Sequence, residues 1–162
     1  MSILLPVNPP YAGMLVDGLL PIKWKKTQLP LGKAYIYETK KNGGCGEVIG
    51  EVEIFNAFTV DVNRVGEVAI KDGKISRLDL QKYAKGKMIG MNFCDSSKRY
   101  DKPISVRKFR RTKTIRGYHR PNENFIERLL HGKRVEVRYI DRPPRSWCYV
   151  DDDIFEKEIL TE

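Results

Sequence analysis

The stretch Asn8-Pro9-Pro10-Tyr11-Ala12-Gly13-Met14-Leu15-Val16-Asp17-Gly18, continuing through Pro21-Ile22-Lys23-Trp24-Lys25, decides how the rest of the chain is read. Its first half predicts a short helix. Asn8 is a cap residue ahead of proline at the first helical position, Tyr11, Met14 and Leu15 form an apolar stripe, and Gly18 ends it. Its second half changes period. Ile22-Lys23-Trp24-Lys25 alternates apolar and basic residues, as a strand with one dry and one cationic face does.

Outward from there the elements stay short. Residues 34–38 predict a second strand, Gly43-Gly44-Cys45-Gly46 a turn, and 48–62 a long β-rich stretch. In that stretch Val48, Val52 and Ile54 are expected on one face, with Phe58, Val60 and Val62 continuing it after a bend near Asn56. Ser76-x-x-Asp79 opens a helix over 76–85, with Ile75 and Leu80 at staple spacing and Gly86 as the stop. Ile89, Met91 and Phe93 alternate in a further strand. Asn122 caps a third helix bearing Phe125, Ile126, Leu129 and Leu130, closed by Gly132. Val135, Val137 and Tyr139 mark another strand, and Trp147-Cys148-Tyr149-Val150 the last. Short strands with about three small helices make an α+β fold, expected to be a small, mostly antiparallel β-barrel.

The 162 residues suit one domain, with 41% hydrophobic and 31% charged residues, a globular rather than disordered composition. We divide the chain into a domain over 1–150 and an acidic tail over 151–162. There is no apolar run long enough to cross a membrane, and the opening Met-Ser-Ile-Leu-Leu-Pro lacks the pattern of a secretion signal, so a cytoplasmic protein is expected. Cys45, Cys94 and Cys148 are odd in number with no CxxC spacing, which predicts reduced thiols. With only His119 and His131 to add, neither a metal site nor a cofactor is expected. His131 is read as a helix C-terminal residue.

The net charge of +9 is unevenly placed. The window 98–120 holds ten Lys/Arg against Asp101 alone, so the rest of the chain is formally neutral. The tail carries six acids against Lys157, including Asp151-Asp152-Asp153. Positive charge at this density draws a polyanion and releases its counterions on binding, whereas a segment serving only solubility would do so with mixed signs. Arg107, Lys108, Arg110, Arg111, Lys113 and Arg116 are the candidate phosphate contacts, interleaved with Phe109 and Tyr118. Phe109 either stacks on bases or anchors the segment to the core. Few apolar residues stand between Arg110 and Arg120, which leaves that stretch to be ordered by a ligand.

The residues quoted at the outset, with Tyr35-Ile36-Tyr37-Glu38, Val48-Ile49-Gly50-Glu51-Val52 and Pro143-Pro144-Arg145-Ser146-Trp147-Cys148-Tyr149-Val150, resemble an ASCH domain from about Ile3 to Val150. The resemblance implies the PUA-like fold of RNA-binding domains, a small barrel with a cleft beside the first helix that is suited to a nucleobase or RNA end. Some small members are amidohydrolases on a modified cytidine, and others are reported as nucleases. Members typically carry Gly-x-Lys-x-x-Glu-x-Arg at the cleft. Here Leu20 stands at the lysine position, Lys23 at the glutamate position and Lys25 at the arginine position. Leu20 can be neither base nor nucleophile, and Lys23 removes a proton acceptor. Lys23, Lys25 and Lys26 are therefore the candidate cleft cations. Two readings fit them: a phosphate lies between mutually repelling ammonium groups, or they are the wet side of an edge strand that lysine keeps from aggregating. Trp24, on the opposite face, is read as core. Together these point to a nucleic-acid-binding protein without catalytic activity, with RNA as the expected partner, DNA as a possible one, and a protein partner as a third option for the basic segment. A hydrolase of a modified nucleoside or of RNA is the alternative, and an adaptor in a transcription or translation complex, its basic segment meeting an acidic protein, is a further one.

Overall fold

The computed structural model describes residues 2–115 and 134–152. Its strands are β1 (Ser2–Val7), β2 (Ile22–Lys25), β3 (Gly32–Glu38), β4 (Val48–Asp61), β5 (Met88–Ile104), β6 (Arg110–Ile115), β7 (Arg134–Tyr139) and β8 (Cys148–Val150). The helices are α1 (Tyr11–Val16), α2 (Glu67–Asp72) and α3 (Arg77–Ala84). The strands form one sheet in the order β2-β5-β4-β3-β1-β8-β6-β7. All pairs are antiparallel except β1 with β3. The α+β class and the antiparallel bias hold. The barrel is not confirmed: among the described residues no ladder joins β2 to β7, and the sheet is open. The β4–β5 ladder carries three register shifts, the kind of irregularity that bends paired strands.

β1 escapes the alternation rule because it is buried on both faces. Ile3, Leu5 and Val7 pack under α1 with Ala12, Leu15, Ala34 and Ile36. Leu4 points the other way, to Tyr35, Tyr37, Phe109 and Val150. Pro6 is tolerated because β8 pairs only with Ser2, Ile3 and Leu4, so one side of β1 is free of a ladder there. A third cluster, Ile22, Trp24, Val62, Ile70, Leu80 and Ile89, lies against α2 and α3. Trp24 is core, as expected. Val48 departs from expectation: the register shift between Val48 and Gly50 turns it to the Tyr35 side, away from Val52 and Ile54.

Helix starts follow chemistry that differs in detail from the expected caps. Pro10, not Asn8, is the cap of α1, and the Asn8 carboxamide oxygen instead accepts from Thr39 Oγ1 at 2.6 Å. At α3 the capping box is as read. Ser76 Oγ accepts the Asp79 amide at 3.1 Å, and Lys85, left-handed at φ 53°, closes the helix just before Gly86. α2 was not anticipated, and the helix expected after Asn122 lies outside the described residues, as do His119, His131 and Tyr118.

The basic segment is split. Its first part continues β5, where Arg99 clamps α1 by donating to both Asp17 oxygens, at 2.7 and 2.8 Å. That guanidinium holds the Asp17 carboxyl below the usual range. Val106–Lys108 is a 3₁₀ turn, and Phe109 is core, edge-on to Tyr35 with ring centroids 5.1 Å apart. Contrary to the expectation of a ligand-ordered stretch, 110–115 form β6, laddered to β7 and touching β8 at Val150. The β-branched Thr112 and Ile115 suit that strand despite its charge.

Candidate nucleic-acid cleft

β2 runs along the edge of the sheet with Ile22 and Trp24 turned into the core, so Lys23 and Lys25 project to the other side. There they enter a cleft of ≈ 870 Å³. Its floor near β2 is Leu20, buried at the position where the family motif carries lysine. Tyr11 of α1 stands over Lys23, with the ammonium nitrogen 5.5 Å from the ring centroid. Thr39, Lys40 and Lys41 from the turn after β3 form a second wall. Arg107 of the 3₁₀ turn, with Asp141 and the Pro143-Pro144-Arg145 segment, forms a third.

Among the described residues the lining thus carries six cations, Lys23, Lys25, Lys40, Lys41, Arg107 and Arg145, against the single acid Asp141. Among the described residues Lys23 makes no ion pair with a carboxylate. Burial, and then the like charge of Lys25, push its ammonium down to about 8. Burial also lowers Lys25. The two lysines are half-buried inside the cleft rather than spread on a wet edge. Behind them Asn92 is fully buried, donating to the Lys23 carbonyl at 3.0 Å and accepting from the Leu29 amide at 2.8 Å. It locks β2 and the loop after it in place. Burial raises the neighbouring Cys94 thiol to about 12, leaving it protonated. Cys45 is exposed, but desolvation and the nearby Glu38 and Glu47 raise its thiol too, so it is not an activated nucleophile.

The other residues singled out by sequence are placed variously. Lys26 sits at the rim, its nitrogen 5.8 Å from the ring centroid of Tyr83, which itself lines the cleft. Lys108 is exposed and outside the cleft lining. Arg110 is bridged to Asp151, so the start of the acidic tail folds back onto the basic segment. Arg111 is exposed on β6, Lys113 belongs to the same strand, and Arg116 lies outside the described residues. Sequence reasoning missed Lys40, Lys41 and Arg145. The only local signal was the Lys40-Lys41-Asn42-Gly43 turn. No cluster of His, Cys, Asp or Glu among the described residues could hold a metal, and no helix is long and apolar enough to cross a membrane.

No protein-family model matches the chain, and no curated protein matches it in sequence. Solved structures do. The crystal structure of ASCH from Zymomonas mobilis superposes with a TM-score of 0.68 at 15% identity, covering 98% of this chain and 94% of that one. A Tyr→Phe variant of the same protein gives 0.68 at 15% identity over 98% and 96% of the two chains. A Ser→Ala variant gives 0.67 at 15% identity over 99% and 95%. The chain has the ASCH-domain fold. The likeness spans nearly the whole ASCH protein, so the cleft lies within one ASCH-type unit. At this identity the likeness carries architecture and not activity.

Proposed function

We propose that this ASCH-fold unit, residues 1–150, binds nucleic acid in the cleft, with RNA as the favoured ligand. The supporting observation is the lining itself: six cations against one acid, with Tyr11, Tyr37 and Tyr83 among them. A phosphate between Lys23 and Lys25 relieves their mutual repulsion, and Arg107, Lys40 and Arg145 meet a backbone at the rim. The partly exposed Tyr11 and Tyr83 rings offer stacking faces to bases. The test is a titration with RNA, single-stranded DNA and duplex DNA at two salt concentrations. For RNA, replacing Lys23 and Lys25 by alanine is expected to reduce the slope of log K against log salt by about 1.4, two single-strand phosphate contacts at ~0.7 each. Equal affinities and slopes for variant and parent refute the cleft as the site. Failure to bind any nucleic acid favours the adaptor role with an acidic protein.

A second reading, hydrolysis of a modified nucleoside or of an RNA strand, is favoured by Lys23. An amine that gives up its proton near pH 8 is a usable base, which the sequence argument against catalysis did not foresee. Turnover of acetylated cytidine, or RNA cleavage lost in Lys23→Ala, decides for it.

A further inference from the structure

Lys23 is held in the cleft from several sides. Its nitrogen lies 5.5 Å from the centroid of the Tyr11 ring, and Lys25 shares its face of β2. The backbone beneath it is fixed: Lys23 pairs with Asn92 in the β2–β5 ladder, and the buried Asn92 carboxamide donates to the Lys23 carbonyl at 3.0 Å. Buried Leu20, at the place of the family's motif lysine, gives the same cleft an apolar floor. The charged or ionisable groups acting on the Lys23 amine are Lys25 and Cys94, with no carboxylate among them. Removal from water and a neighbouring cation are the two conditions that make a lysine nucleophilic. At pH 7 about a tenth of an amine titrating near 8 is neutral, against about one part in 2,500 for a solvated lysine. The Cys94 thiol, buried and protonated, does not compete with it. A phosphate contact gains nothing from a neutral amine, whereas a carbonyl carbon reacts only with one.

Intact nucleotides present no aldehyde. A nucleotide that has lost its base does, at C1′ of the ring-opened sugar, and phosphates flank it on both sides. The cleft lining offers Lys25, Lys40 and Arg107 to those phosphates. We propose that Lys23 captures abasic nucleotides in a strand held in the cleft, through a reversible imine with the sugar aldehyde. This rests on the cleft reading. The Nζ lone pair forms the bond to C1′, and one amine hydrogen moves to the aldehyde oxygen, giving a carbinolamine. That hydroxyl leaves with the second amine hydrogen as water, and an N=C1′ double bond remains. No oxidant or reductant takes part, and water reverses the step. A half-buried site that sheds water favours the imine.

The experiment incubates the full chain with short single strands carrying one abasic site, in RNA and in DNA, beside the matching intact strands. Cyanoborohydride reduces any imine to a stable secondary amine, and peptide mass spectrometry locates it. The parent is expected to give one adduct, on Lys23, from abasic strands and none from intact ones. An adduct there from either the RNA or the DNA strand supports the capture and tells which sugar is taken. Lys23→Arg keeps the cation without an amine, and should lose the adduct by about tenfold or more. Unchanged binding of the intact strand by Lys23→Arg shows that the fold and the cleft persist. Adducts spread over several lysines, an undiminished adduct in Lys23→Arg, or no adduct from either abasic strand overturns the capture. The cleft reading survives those outcomes provided the parent binds the intact strand with a salt slope that Lys23→Ala lowers. A parent that binds no strand, intact or abasic, overturns both.

Discussion

The Lys23 ammonium sits 5.5 Å from the centroid of the Tyr11 ring, so a strand edge and the first helix meet across the cleft mouth through a cation and a π-face. Burial still outweighs that contact and brings the amine to about 8. In the unfolded chain it titrates near 10.4. Between those values the unfolded state binds more protons, so stability rises with pH from about 8 to 10.5. Below about 8 the fold bears the full cost of the buried charge, on the order of 2–3 kcal/mol. Lys23→Met is therefore expected to stabilise the protein at pH 7, with the gain vanishing above pH 10.5. Denaturant midpoints at the two pH values check this. Anion binding through Lys23 should fall as pH rises through 8.

Phe109 fastens the middle of the basic segment to the core against Tyr35. Phe109→Ala is expected to cost about 3–5 kcal/mol. The urea midpoint should drop accordingly, with the slope of the transition unchanged. A loss under about 1 kcal/mol would mean that the ring is not core.

Gly50 lets α1 settle onto the β4–β5 ladder. A Cβ there would lie 2.2 Å from the Lys98 carbonyl oxygen and 2.7 Å from Val16 Cγ1. Backbone cannot swing aside as a side-chain tip can. Gly50→Ala should destabilise by about 1–3 kcal/mol or more, read as a lowered melting temperature.

Arg110 and Asp151 form a part-buried ion pair where β8 meets β6. Asp151→Asn leaves the guanidinium without its carboxylate and is expected to cost about 1–3 kcal/mol. It should also raise RNA affinity at low salt, by releasing one cation of β6 for phosphate. Stability lost without any affinity gained would confine this pair to a structural role.

How much of this was legible in the sequence depends on how local each signal is. Ile22-Lys23-Trp24-Lys25 shows its two faces in four letters, and Ser76 with Asp79 and Gly86 carries its own start and stop. β1 was silent because a strand buried on both sides has no alternation to read. α2 was silent because Ile70 is the one buried residue among its six, which leaves no stripe. β6 was masked by charge density, with only its β-branched residues hinting at a strand. In the cleft, Lys23 and Lys25 were visible as a local pattern. Lys40, Lys41 and Arg145 join them only through pairings between distant strands, and no local window contains that information.

β1 is flanked by β3 on one side and by β8 on the other, with Ser2 opposite Val150. β1 must therefore wait for β8, the last of the described strands in chain order, before its second neighbour exists. A nascent chain halted before residue 148 would present Ser2, Ile3 and Leu4 on an open edge, sensitive to protease and prone to pair with other chains. Protection of that segment should appear late and in a single step, making closure of this one ladder the event that commits the whole sheet.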